Sequence, residues 1–186
     1  QAHPNKTRQF LDVTKLPVDR HDPEAMGEGV INALWYNVFA TNDAIGKLGG
    51  QPFDNTRRFY FGSNNDFRLN RRIERFEADR SALEEIDAFY QTTGDLEGPL
   101  VTMHTTGDPI VPIWHQALYR LKTFRSGSSR LHNGIPILRY EHCNFKDSEL
   151  LAGFALLVYR VRGRTLADAA PALSTRAEQR NFRQLA

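Results

Sequence analysis

Apolar residues recur at helical spacing through the first half of the chain. In the second half they gather into short runs bounded by glycine and proline. Residues 1–22 are polar and irregular, with Pro4 and Pro17, and read as an extended arm. Asp22-Pro23-Glu24 is a helix start: a capping carboxylate, proline at the first helical position, and an acid in the first turn. Val30, Ile31, Leu34, Trp35, Val38 and Phe39 then mark an amphipathic helix ending near Gly46 or Gly49-Gly50. Gln51 to Asn65 reads as an aromatic loop. Leu69, Ile73 and Phe76 mark a second helix. Ser81-Ala82-Leu83-Glu84 has the form of a capping box opening a third, with Leu83, Ile86, Phe89 and Tyr90 inward and Gly94 as its end.

The pattern changes at Gly98-Pro99. Leu100-Val101-Thr102-Met103-His104 is a short run of the kind that forms a buried parallel strand. A helix follows with Ile113, Trp114, Ala117, Leu118, Leu121 and Phe124 inward. Ile135 to Tyr140 reads as a second strand, with Pro136 near its start, where proline is tolerated. The next helix, capped by Asn144 or Asp147 and running to about Val161, is apolar on most of its circumference and so predicts burial on more than one side. This strand-helix-strand-helix order is half of a doubly wound α/β sheet. Residues 162–186 are polar and arginine-rich, with one weak helix at the end.

Composition narrows the function classes. The chain has 186 residues, 40% hydrophobic and 25% charged, enough for one sizeable domain. No apolar run approaches the roughly 20 residues a membrane span needs, and the first ten residues carry no signal-peptide pattern. A net charge of +2 does not suggest nucleic acid. The arginines of 57–80 are interleaved with Asp66, Glu74, Glu77 and Asp79, which reads as a solvated, salt-bridged surface. The single Cys143 excludes an intrachain disulfide and leaves the redox compartment open.

The candidate chemistry lies in the loops beyond the two strands, where open α/β sheets gather their functional groups. Asp108, in Gly107-Asp108-Pro109-Ile110-Val111-Pro112, follows the first strand. His142, in His142-Cys143-Asn144-Phe145, follows the second. A carboxylate in reach of an imidazole fixes its tautomer and lets the other ring nitrogen take a proton from a hydroxyl. His104 and His115 flank Asp108, but the three match no metal-ligand spacing and are read as structural. Cys143 next to His142 invites a thiol-imidazole reading. Sequence neighbours rarely present their side chains to each other, so a small packing residue is expected there. Trp35, Tyr36, Phe59, Tyr60, Phe61 and Trp114 are expected in the core, some of them lining an apolar pocket.

The segments Leu100 to Pro112 and Tyr140 to Phe145 resemble the acid and histidine loops of the α/β-hydrolase family, within a likeness that runs from Asn55 to Phe145. The order acid then histidine fits that family. The resemblance implies that this is the C-terminal half of an α/β-hydrolase sheet preceded by a helical cap region. Residues 1–98 would be an arm and mainly helical cap, 99–165 the end of the core, and 166–186 a polar tail. Asp108 and His142 would be the catalytic acid and base of a Ser-Asp-His triad.

The nucleophile elbow and the strands before it are absent. None of Ser63, Ser81, Ser126, Ser128, Ser129, Ser148 and Ser174 lies in a Gly-x-Ser-x-Gly setting. The resemblance therefore implies that the nucleophilic serine lies on an N-terminal polypeptide, either a separate complementary chain or a preceding part not included in this sequence, with a small-molecule ester substrate and neither cofactor nor metal. The alternative is a non-catalytic hydrolase-like module that binds a ligand or partner.

Overall fold

The computed structural model describes residues 3–163 and 167–185, which fall into two compact units. The first comprises residues 3–17 and 23–91; the second comprises 18–22 together with the chain from Thr92 onward. The two units divide at 91/92. The reason is local: segment 92–98 is tied to the helix following the first strand. Lys122 Nζ donates to the Thr92 carbonyl at 2.9 Å, and the Ser126 and Ser128 hydroxyls both donate to the Gly94 carbonyl, at 2.6 and 2.5 Å.

The first unit is helical. The expected arm contains a helix, α1 (Pro4–Thr14), with proline in its first turn and Lys15 as a left-handed C-cap. Polar composition hides it from periodicity, and tertiary contacts hold it. Leu11 is buried, and the Gln9 side-chain oxygen accepts the Asn64 N–H at 3.0 Å. Gly62, at φ +107°, lies so close that a Cβ there would sit 2.6 Å from the Asp12 carbonyl oxygen. Helix α2 (Pro23–Leu48) begins where Asp22-Pro23 predicts and buries Met26, Gly29 and Ala33.

Helix α3 (Asp66–Arg72) is shorter than expected and stops before Phe76. A polar network draws the following backbone out. Asn55 Oδ1 accepts the Phe76 N–H at 2.7 Å, and Arg75 donates to the carbonyls of Asn55 and Arg58 at 2.7 and 2.5 Å. Helix α4 (Arg80–Glu85) starts at Asp79 and not through the Ser81 capping box, because Glu84 pairs with Arg80 at 2.8 Å instead. It runs into a π-helical turn, Ile86–Tyr90, and ends there rather than at Gly94.

The second unit holds a two-stranded parallel sheet, β1 (Leu100–Gly107) and β2 (His132–Tyr140), joined through α5 (Trp114–Arg125). Leu100 pairs with His132 and Thr105 with Ile137. Thr102 Oγ1 donates to Gln116 on α5 at 2.8 Å and lies 2.9 Å from His132 Nε2, which fixes α5 to the sheet. Helix α6 (Asp147–Arg162) presents Gly153 so closely to Met103 of β1 that a side chain there would strike the Met103 sulfur.

The C-terminal segment is not a loose tail. A 3-10 turn, Ala167–Ala172, leads to α7 (Arg176–Leu185), whose Phe182 is fully buried with Ala155 of α6, Ala170 and Leu173. Residues 164 and 165 of the expected core end, and 166 and 186 of the expected tail, lie outside the described residues.

The apolar faces read as inward are largely uncovered. Ile31, Leu34, Trp35, Tyr36, Val38 and Phe39 on α2 are exposed, as are Leu83, Phe89 and Tyr90. So are Trp114, Leu118, Leu121 and Phe124 on α5, and Leu150 and Phe154 on α6. Phe59 and Phe61 are exposed too, so the expected aromatic core is absent from the described residues. Periodicity identifies the apolar side of a helix; it does not supply a layer to cover it. No helix among the described residues is long and apolar enough to cross a membrane.

Candidate active site

The parallel pairing brings the loops after β1 and β2 to one end of the sheet, because parallel strands end on the same side. Asp108 is 2% exposed and both its carboxylate oxygens are engaged. Oδ1 accepts the backbone N–H groups of Ile110 and Val111, at 2.8 and 2.9 Å. This is an aspartate turn that Pro109 and Pro112 stiffen. Oδ2 is thereby left to face His142 Nδ1, at 2.7 Å. The imidazole is about one-third exposed, at 36%, against 3% for its carboxylate partner. A buried carboxylate on Nδ1 keeps that nitrogen protonated, so that Nε2 carries the lone pair of the neutral ring.

The approach to the histidine is shaped by an irregular sheet end. Thr105 pairs with Ile137, but Gly107 pairs with Tyr140, so β2 contributes one residue more than β1 across this step. Such a bulge re-aims the side chains beyond it. Gly107 is required here. An added Cβ would collide with the Tyr140 ring and come within 2.9 Å of the Tyr140 Cα.

Glu141 and Cys143, on either side of His142, both adopt left-handed backbone, at φ 78° and 53°. For residues with a Cβ this costs roughly 1–3 kcal/mol each, and it persists only where surrounding contacts enforce it. Those contacts are present. Thr105, 1% exposed, donates its hydroxyl to the Glu141 carbonyl at 2.6 Å, and the Glu141 N–H donates to the Gly107 carbonyl at 3.2 Å.

The far side of the loop is held by Arg139. Its guanidinium donates to the Asn144 carbonyl at 2.7 Å and grips the Glu149 carboxylate with two bonds of 2.8 Å. Hydrogen bonding to Arg139 holds Glu149 below the ordinary glutamate range, and the same bond raises Arg139. Glu149 also accepts the Lys146 N–H at 2.8 Å, so the residue capping α6 is Lys146 and not Asn144 or Asp147. Helix α7 closes the arrangement. Glu178 accepts the Ser148 N–H at 2.9 Å, and Asn181 donates to the Ser148 hydroxyl at 2.6 Å.

Cys143 departs from its expected packing role. It is exposed, and its left-handed backbone folds Sγ back to 3.5 Å from His142 Nε2. His104 Nδ1 lies 2.8 Å from the Thr105 carbonyl oxygen, while His115 stacks on Trp114. Burial, and secondarily the charge of His104, lowers the His115 pKa. Among the described residues no group of three His, Cys, Asp or Glu side chains is placed to hold a metal ion.

Three further serines have assigned partners. The Ser63 hydroxyl donates to Asp66 at 2.6 Å, and those of Ser126 and Ser128 go to the Gly94 carbonyl. The structure brings together Asp108 and His142, which the sequence singles out, and adds Thr105, Arg139 and Glu149, which it does not. The only available signal was an arginine in the otherwise apolar run 135–140; Thr105 lies among Thr102, His104 and Thr106 and stands out by nothing in the sequence. No family model, curated protein or solved structure matches the chain.

Proposed function

We propose that this chain supplies the acid and the base of a serine hydrolase of α/β-hydrolase type. The nucleophilic serine and the oxyanion donors come from an N-terminal polypeptide, contiguous or separate, and the substrate is a small-molecule ester. The observation that carries this reading is the 2.7 Å contact between a buried carboxylate and an imidazole about one-third exposed, at the ends of two paired parallel strands.

In the proposed reaction, Asp108 orients His142 and stabilises the imidazolium that forms. His142 Nε2 takes the proton of the serine hydroxyl as that oxygen attacks the ester carbonyl. The proton then passes to the departing alcohol. A water, deprotonated by the same nitrogen, releases the acid from the acyl-enzyme. Ester cleavage is favoured over amide cleavage because an alkoxide leaves more readily than an amide anion.

The test is to purify the natural protein, determine its intact mass and N-terminal sequence, and label it with a fluorophosphonate serine probe. Labelling of a complementary or contiguous N-terminal segment supports the reading. Absence of labelling in a natural protein that begins at Gln1 and has no companion overturns it. In the labelled assembly, His142→Ala lowers ester turnover by about 10⁴-fold; retained turnover removes the role given to this residue.

A further inference from the structure

We infer that Thr105 is the positioning residue for His142, a role that rests on the proposed triad for its catalytic meaning but not for its geometry. Thr105 belongs to the acid's strand, yet its hydroxyl reaches across 36 residues of sequence to the carbonyl of Glu141, the residue before the histidine. The bond is 2.6 Å long and fully buried on the threonine side, where water cannot replace it.

Its partner is the carbonyl of a non-glycine residue in left-handed backbone, a conformation that needs external enforcement. The bond also falls at the last regular pair of the sheet, Thr105 with Ile137, just before the step where β2 gains its extra residue. The regular ladder is interrupted after Thr105, and the threonine side chain works beside the Glu141 N–H to Gly107 carbonyl bond in holding the two strand exits together. Asp108 lies three residues further along the same strand exit, so one rigid segment sets both the carboxylate and the turn that delivers the imidazole to it.

The catalytic pair can thus be disturbed without touching either member. Thr105→Val keeps the shape of the side chain and removes only the hydroxyl; Thr105→Ser keeps the hydroxyl and removes a methyl group. The readout is nitrogen NMR of the histidine rings in the isolated chain, with His142 assigned by its disappearance in His142→Gln.

The expected result is a single Nδ1–H tautomer with a hydrogen-bonded, downfield proton for His142 in the unaltered chain and in T105S. In T105V the tautomers mix and that proton is lost to exchange, while the amides between β1 and β2 keep their protection. An unaltered His142 spectrum in T105V overturns the proposal. Should T105V fail to fold, Thr105→Ala against T105S again differs by the hydroxyl alone. If T105V and T105A both unfold the sheet, Thr105 is a structural residue and the proposal falls.

In the assembly carrying the serine, T105V lowers kcat about tenfold with KM unchanged, and T105S restores it. A changed spectrum in a chain for which no nucleophile-bearing polypeptide exists supports the positioning of His142 while removing the hydrolase reading.

Discussion

The histidine loop and helix α2 differ sharply in how their side chains are partnered. Between Arg139 and Glu149 the main polar groups are tied down: Arg139 to Asn144 and Glu149, Glu149 to Lys146, Glu141 to Thr105 and Gly107, and His142 to Asp108. Along α2 the apolar stripe is as well formed as the sequence promises, yet Ile31 is 66% exposed and Trp35, Val38 and Phe39 more than half exposed. One region is over-determined and the other is underemployed. Strained backbone persists only where its surroundings over-determine it, as the short hydrogen bonds do here. An uncovered stripe records only that water is a poor neighbour for it.

The largest blow to the over-determined region is Gly107→Ala. Its new Cβ meets the Tyr140 ring and backbone at the sheet step, where neither can retreat. We expect a loss of about 3 kcal/mol or more in the denaturant unfolding of the second unit. A loss under about 1 kcal/mol would show that the sheet end is softer than its hydrogen bonds imply.

Next is Glu149→Gln, which keeps the shape of the carboxylate but removes its charge from Arg139. The expected cost is about 1–2 kcal/mol at neutral pH. Because Arg139 holds Glu149 below the ordinary glutamate range, the linkage has a defined sign. The stabilisation is complete above the unfolded glutamate value, about 4.3. It is lost as the pH falls through the depressed folded value. Denaturant midpoints measured from neutral to acidic pH should converge for the two proteins at the acid end; parallel curves would assign the bond no share of the acid sensitivity.

The smallest effect is expected on α2. Ile31→Gln should change stability by no more than about 0.5 kcal/mol, since the side chain is already in water. A larger loss would mean that the stripe is covered in solution, and sedimentation of both proteins would show whether self-association covers it.

How much of this was legible in the sequence follows from the same contrast. The two strands, the connecting helix and the acid and histidine loops could be read, because an apolar run ending in Gly-Asp-Pro has few alternative conformations. The pairing of Asp108 with His142 followed from parallel topology. Helices α1 and α7 could not be read so well: α7 is anchored by the single aromatic Phe182 amid polar residues, too sparse a pattern to betray a buried face. The end of α3 depended on Asn55, some twenty residues away in sequence from Phe76, and no local pattern encodes such a partner. Arg139 was visible only as a polar interruption, and Thr105 was one of several threonines in its stretch; their meaning required the register of the sheet.

The latch between α7 and Ser148 has a consequence for the order in which the molecule can be built. A ribosome delivers β1 and the acid loop first, then β2 and the histidine. Glu178 and Asn181, which secure the start of α6, emerge some thirty residues after the serine they hold. At a synthesis rate of about 5–20 residues per second, the histidine loop waits a second or more for its last support. Asp108 is therefore in place before His142 is secured, and the nascent chain passes through a stage in which the histidine has a partner but not yet a fixed seat.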